Sequence, residues 1–182
     1  VTKNVGKLEN KGFEFVLNTN NFTGQFKWTT NFNIARNIGK VNDIQGQIIE
    51  GGVSNMNRVA EGEAIGVFYT VEYAVVDPDN GDALFYKNVK GANNVIDRTT
   101  TNNYNEAQRI VAGDPNPDWI FGITNNFAYK GFDLSFMFNG VAGNQVNIYG
   151  MGRYSSANML YEDNNTADQL ARWQKPGDIT NV

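Results

Sequence analysis

Trp119-Ile120-Phe121-Gly122-Ile123-Thr124-Asn125-Asn126-Phe127-Ala128-Tyr129, then Lys130-Gly131, then Phe132-Asp133-Leu134-Ser135-Phe136-Met137-Phe138-Asn139, is the stretch on which the fold turns. Its large apolar residues recur at every second position. Trp119, Phe121, Ile123, Phe127 and Tyr129 are in phase in the first half. Phe132, Leu134, Phe136 and Phe138 are in phase in the second, with Asp133, Ser135 and Asn139 opposite. A period of two is the repeat of a β-strand that keeps one face apolar and the other polar. Two residues, one of them Gly, separate the runs, which is enough to reverse the chain into a hairpin.

A second pair of alternating segments lies upstream. Phe13, Phe15 and Leu17 share a face against Glu14 and Asn18; Phe26, Trp28, Phe32 and Ile34 share a face against Lys27, Thr29, Asn31 and Asn33. The expected strands are residues 13–19, 26–36, 118–129 and 132–141. Runs of about nine to eleven residues suit a tilted strand that crosses a bilayer; strands of soluble proteins are commonly about five or six. The connections are unequal. Short turns close each hairpin, whereas residues 37–117 and 142–182 form long loops. Short turns at one end and long loops at the other are the pattern of outer-membrane barrels. The chain is therefore expected to be all-β: an antiparallel transmembrane β-barrel segment of about four strands with long extracellular loops. No window holds about 18 apolar residues, so no transmembrane helix is expected.

The long loop carries its own signals. Residues 67–76 read as a strand, Asp77-Pro78-Asp79-Asn80-Gly81-Asp82 as a turn, and Ala83-Leu84-Phe85-Tyr86 as the return. Asp77, Asp79 and Asp82 are three carboxylates on one Gly-containing turn and are the candidate Ca²⁺ ligands. Their spacing is not that of an EF-hand loop, and a plain hairpin turn is the favoured reading. No other cofactor is expected. In the tail, Thr166 and Gln169 match a capping box, which predicts a helix running to Trp173 and ended by Pro176-Gly177. Trp28, Trp119, Tyr129 and Phe132 stand at or near strand ends, where they would form membrane-interface girdles. Tyr149, Tyr154, Tyr161 and Trp173 lie in loops and are candidates to stack on a sugar or peptide.

Composition narrows the classes of function. The chain of 182 residues has no Cys and no His, which removes disulfides, Cys-ligated zinc, His-based triads and His general bases. Lys and Arg number 15 against 19 Asp and Glu, a net charge of -4, which gives no electrostatic footprint for nucleic acid. The carboxylates are scattered and spacing singles out no pair for glycoside hydrolysis. No GxxxxGK[ST] phosphate loop occurs. The chain is not expected to be an enzyme. Asn is abundant, at 28 residues, beside 19 Gly. Aromatic strand faces together with Asn-rich opposite faces and turns fit a two-faced wall better than a helical bundle.

Several phrases, in order, resemble the SusC/RagA-like TonB-linked outer-membrane transporters. They are Asn4-Val5-Gly6-Lys7-Leu8-Glu9-Asn10-Lys11-Gly12-Phe13-Glu14, Phe26-Lys27-Trp28-Thr29-Thr30-Asn31-Phe32-Asn33, Glu61-Gly62 running into Gly66-Val67-Phe68-Tyr69, and Val76-Asp77-Pro78 with Gly81-Asp82. Gly113-Asp114-Pro115-Asn116-Pro117-Asp118, Tyr129-Lys130-Gly131-Phe132-Asp133-Leu134, Gly143-Asn144 and Arg172-Trp173-Gln174-Lys175-Pro176-Gly177-Asp178 complete the set. The resemblance implies a piece from the C-terminal half of a barrel of roughly 22 strands in the cell outer membrane. It implies short turns toward the periplasm and long loops outside. It further implies a plug in the lumen, a SusD-like surface lipoprotein as lid, and import of oligosaccharides or peptides powered through TonB. The plug and the TonB-contacting segment are not among these residues, so the chain is expected to be a fragment that does not transport alone. Two other readings compete: a soluble β-rich carbohydrate-binding module, whose apolar strand faces would pack on a second sheet, and a secreted glycan-active enzyme, whose paired carboxylates would face each other across a cleft.

Overall fold

The computed structural model describes residues 6–148 and 165–182. The chain divides into two compact units: Val1–Glu50 with Arg58–Val67 and Asp114–Gln145, and Gly51–Asn57 with Phe68–Gly113 and Val146–Val182.

The first unit is built on one four-stranded antiparallel sheet. In chain order its strands are Lys7–Thr23, Phe26–Asp43, Trp119–Tyr129 and Phe132–Ala142, and they neighbour one another in that same order. Both hairpins close on short turns. At the second, Lys130 has φ 47° and Gly131 φ 84°. Positive φ at both central residues is the two-residue turn whose twist matches that of the flanking strands. The second and third strands are joined only through the long loop, yet they pair in continuous register from Ile120 opposite Ala35 to Tyr129 opposite Phe26.

The first two strands are longer than the expected spans of 13–19 and 26–36. Two local causes hid their ends. The register shifts between Asn20 and Phe22, so Asn21 is the extra residue of a β-bulge. The bulge reverses the alternation: Phe22, out of phase with Leu17 in the sequence, lands opposite Trp28 on the apolar face. At the other end the first two strands continue past the third, pairing with each other from Phe13 opposite Arg36 up to Leu8 opposite Val41. This ribbon carries polar residues on both faces, so the apolar alternation fades although the pairing persists.

The ribbon ends in the small core of the unit. Val41 is fully buried, and Ile44, Ala60 and Val67 are also buried. Val41 N–H donates to the Glu63 carbonyl and Gly62 N–H donates to the Val41 carbonyl, so the segment 60–63 is held along this part of the second strand.

In the second unit the expected strand over residues 67–76 is two strands, Val67–Thr70 and Tyr73–Val76. Tyr73–Val76 pairs with Ala83–Tyr86 around the Asp77–Asp82 turn, and Thr100–Thr101 pairs with Ala83–Tyr86 on its other side. Phe68, Tyr69 and Thr70 pair instead with Gly113, Val111 and Ile110. The break falls at Val71-Glu72. Glu72 is held sideways by Arg98, whose guanidinium donates to both carboxylate oxygens and, at 2.9 Å, to Asn88 Oδ1, and lies 3.8 Å from the centre of the Tyr86 ring. The helix expected from Thr166 is a single 3₁₀ turn, Ala167–Ala171. Thr166 makes no side-chain cap; the buried Gln169 N–H donates to the Thr166 carbonyl instead. A capping box assumes a continuing α-helix, and here the chain turns extended at Arg172.

Candidate functional site

The functional element is the four-stranded wall itself, because its two faces differ in chemistry across all four strands. Register places Phe13, Phe15, Leu17 and Phe22 of the first strand beside Arg36, Ile34, Phe32, Trp28 and Phe26 of the second. The same rows continue through Trp119, Phe121, Ile123, Phe127 and Tyr129 of the third and Phe138, Phe136, Leu134 and Phe132 of the fourth. All of these lie on one continuous face. Among the described residues no second sheet covers it: Phe15 is half exposed, and Phe13, Phe132, Leu134 and Phe138 are more than half exposed. The arrangement a soluble module requires, with these faces packed against a facing sheet, is therefore absent among the described residues.

The aromatic rings cluster at the two ends of this face. At the turn end Phe22 stacks on Trp28, Trp28 on Phe127 and Phe127 on Phe136, with centroids 5.6–5.8 Å apart. Tyr129 and Phe26 stand beside this stack, and Phe132 lies opposite Tyr129 and is 81% exposed. At the loop end Trp119 meets Phe13 edge-on at 5.7 Å, and the Arg36 guanidinium sits 5.4 Å from the Trp119 ring centre. The sequence therefore placed Trp28, Tyr129 and Phe132 at one end and Trp119 at the other. It did not show that Phe22 and Arg36 complete the two rows. On the second strand, ten positions separate Phe26 from Arg36. At about 3.4 Å per residue this is about 34 Å of strand, or about 26 Å of height at a tilt of about 40°, which matches the roughly 25 Å apolar band of membrane barrels.

A small polar cluster, Asn125 with Thr30 and Thr19 in the same row, interrupts this face. Asn125 is buried to 8% exposure among the rings. Its Oδ1 accepts from Trp28 Nε1 at 2.9 Å and from Thr30 Oγ1 at 2.7 Å, and Asn21 Nδ2 donates to Thr30 Oγ1 at 2.8 Å. The bulge residue thus closes the cluster from the first strand, so this chain of hydrogen bonds meets the demand that polar groups in an apolar medium find partners.

The opposite face is lined with amides and hydroxyls. Asn31 donates to Asn18, Asn126 Nδ2 to Thr29 Oγ1 at 3.3 Å, and Ser135 Oγ to Asn126 Oδ1 at 2.7 Å. Gly122 leaves the space in which the Asn33 amide lies; a Cβ there would be 3.1 Å from Asn33 Nδ2. Such a face, which also carries Glu14, Lys27 and Asp133, is suited to water and polar solutes.

At the loop end an open cleft of about 260 Å³ is bordered by Asn37, Lys40, Asp114, Asn116 and Asp118. The segment Gly113-Asp114-Pro115-Asn116-Pro117-Asp118 shapes it. Asp114 Oδ1 accepts from the Asn116 backbone, and Asn116 Nδ2 donates to the Ile65 carbonyl at 3.0 Å. Glu61 braces the bend at the end of the second strand. The Gly46 and Ile44 N–H groups, both at 2.9 Å, hold its carboxyl below the usual range. In the second unit the Arg98 guanidinium does the same for Glu72.

Asp77, Asp79 and Asp82 sit on the expected turn, but their oxygens point to different partners. Asp77 Oδ1 accepts from the Asp79 N–H at 2.9 Å, and Asp82 Oδ2 accepts from Asn102 Nδ2 at 2.9 Å. Among the described residues no group of three or more acidic side chains converges to hold a metal ion. Trp173 lies across the same turn. Its Nε1 donates to the Pro78 carbonyl at 3.1 Å, and its ring covers Gly81, where φ is 82° and a Cβ would come within 2.6 Å of the indole. Gly is thus required twice over at this position. Tyr149, Tyr154 and Tyr161 lie outside the described residues.

No family model matches the chain. Among curated proteins it is similar to a TonB-dependent receptor of Formosa agariphila, 32% identical over 99% of this chain and 19% of the relative. A second receptor of that organism is 33% identical over 79% of the chain and 16% of the relative. The TonB-dependent receptor SusC of Bacteroides thetaiotaomicron is 26% identical over 80% and 15%. The chain thus spans about a fifth or less of the length of these relatives. Among solved structures, that of the RagAB peptide transporter superposes with a TM-score of 0.80 at 21% identity, covering 99% of this chain and 20% of that one. The RagAB peptide importer in its open-open state gives 0.81 at 22%, covering 99% and 19%. The likeness in structure shows a shared barrel fold. With the ordered matches in sequence over nearly the whole chain, it identifies the chain as similar to a stretch of the β-barrel of SusC/RagA-like TonB-dependent receptors.

Proposed function

We propose that the intact protein is an outer-membrane transporter that imports oligosaccharides or peptides, works beneath a SusD-like surface lipoprotein and draws its energy through TonB. The carrying observation is the continuous apolar face of four strands, bounded by aromatic rows about a bilayer's height apart and backed by an amide-lined face. Apolar rings exposed on this scale are stable against lipid, not water. The amide face then borders the lumen, and the two aromatic rows, with Trp28, Tyr129 and Phe132 in one and Trp119 in the other, are the interfacial girdles. The wall binds and separates; it performs no bond chemistry. Among the described residues the sheet's two outer strands, Lys7–Thr23 and Phe132–Ala142, each have one unpaired edge. Lipid does not tolerate such edges, so further strands of the same polypeptide close them.

The test is fractionation and uptake with the full-length gene product. The expected result is recovery in the outer membrane, solubilisation only with detergent, and loss of growth on one class of oligosaccharide or peptide when the gene is deleted. Recovery as a soluble monomer without detergent refutes the reading.

A further inference from the structure

Just beyond the loop-end aromatic row, the apolar face of the wall becomes basic. The register from Glu9 opposite Lys40 to Phe13 opposite Arg36 is unbroken, so Lys11, Arg36 and Lys40 lie on the same face as Phe13, Phe15 and Ile34. Three cations there face a single carboxylate, Glu9, which pairs with Lys11 and accepts from Asn42 Nδ2 at 3.0 Å. Among the described residues neither Arg36 nor Lys40 lies within ion-pair distance of a carboxylate, and Lys40 acts on Glu9 only from across the strand pair. Lys40 also borders the rim cleft with Asp114 and Asp118 without pairing to either. Arg36 is the centre of the arrangement. Its Nε is buried with no hydrogen-bond partner, and its guanidinium is held against the Trp119 ring. A guanidinium held by an aromatic ring at the edge of an apolar belt is placed to meet an anion at headgroup depth.

We propose that Arg36, with Lys40 and Lys11, forms a phosphate site on the membrane-facing side of the wall, and that its ligand is the phosphorylated glycolipid headgroup of the leaflet the long loops face. The inference rests on the membrane reading above. The fork of guanidinium donors matches phosphate oxygens, and the two lysines add point charges within one strand pair. Phe13, Phe15 and Ile34 below the cations offer the apolar surface against which the acyl chains of the same lipid lie. At the turn end, by contrast, the cations are Lys27, on the opposite face, and Lys130, whose Nζ lies 5.3 Å from the Tyr129 ring centre.

The experiment uses the full-length protein, purified from outer membranes in mild detergent. Three probes are added: diphosphorylated lipid A, the same lipid without its phosphates, and inorganic phosphate. Bound lipid is read by native mass spectrometry. The wild type is expected to retain lipid A. The double variant Arg36→Gln/Lys40→Gln is expected to bind it at least tenfold more weakly while keeping its heat-modifiable migration, and Arg36→Lys is expected to fall between the two. Equal lipid A binding by wild type and the double variant overturns the proposal. So does equal binding of the dephosphorylated lipid, and so does full competition by millimolar phosphate, which would make this a free-anion site. Those results leave a correctly inserted barrel and sink only the lipid site. A wild-type protein absent from the outer membrane sinks the membrane reading as well.

Discussion

Phe138 and Met137 are neighbours on the fourth strand with nearly the same exposure, 64% and 65%, but they point to opposite faces. Phe138 lies opposite Ile123, in the row of Phe32 and Leu17, about midway between the two aromatic rows; Met137 lies opposite Thr124, in the amide row of Asn31. In water the two positions would respond alike to a charge. In a bilayer they respond differently. A Lys on the lipid face at mid-depth costs about 2–4 kcal/mol. Phe138→Lys also loses the edge-on contact with Phe136, whose centroid is 5.6 Å away, worth about 0.5–1.5 kcal/mol. Phe138→Leu, which keeps an apolar side chain, isolates this second contribution. Met137→Lys places its ammonium among amides and water and should cost under about 1 kcal/mol, since exposed substitutions rarely exceed that. The difference of about 2–4 kcal/mol corresponds to about 30- to 1000-fold in the folding equilibrium. The assay is denaturant titration of the full-length barrel refolded into lipid vesicles, followed by its heat-modifiable electrophoretic shift. Equal losses for the two variants, or a larger loss for Met137→Lys, would refute the assignment of faces.

Four further outcomes are expected. Asn125→Leu removes the acceptor of Trp28 Nε1 and Thr30 Oγ1, and should lower barrel stability by about 1–3 kcal/mol; the same titration checks it, and Trp28→Phe in that background should recover part of the loss. Gly81→Val forces a side chain into the indole of Trp173 at a positive φ, a strain of about 1–3 kcal/mol; it should free the 172–175 segment to trypsin and shift the Trp emission to the red. Because Glu61 has a depressed folded-state pKa, its bonds to Gly46 and Ile44 contribute stability above the unfolded carboxylate pKa and lose it as pH falls through the folded value. Hydrogen-exchange protection of the Ile44 and Gly46 amides, taken relative to their intrinsic rates, should therefore fall in acid, and Glu61→Gln should flatten that pH dependence. For the Asp77, Asp79 and Asp82 turn, calcium or chelator should leave the melting temperature unchanged; a rise with calcium would favour the Ca²⁺ reading over the plain turn.

Much of the wall was legible because its information is local. Alternation at Phe132, Leu134, Phe136 and Phe138 sets a strand and its faces from the backbone period alone, and Lys130-Gly131 sets its hairpin. The shortened ends have an equally local cause. Asn21 inserts one residue and flips the phase, so Phe22 reads as being on the wrong face; in the ribbon above Phe13 both faces mix polar residues with Ile38, Leu8 and Val41, so periodicity carries no signal. The Asp77–Asp82 turn was legible as a turn, but the destination of its carboxylates depended on Asn102, twenty residues on. Trp173 was singled out as a loop aromatic able to stack on a sugar or peptide, and the structure seats it on Gly81, which no spacing rule connects to it.

The residues alone therefore determined that this is β-structure with one apolar and one polar face per strand, because side-chain direction in a strand follows from sequence parity. Tertiary structure decided how those faces add. The second strand finds the third across the long loop, and only their register makes four stripes into one belt. That register assembles Asn21, Thr30, Trp28 and Asn125 into one hydrogen-bonded cluster, and Phe13, Arg36 and Trp119 into one row. Contacts of this kind depend on which positions of distant strands fall side by side, and a one-residue slip would send every side chain of a strand to the other face.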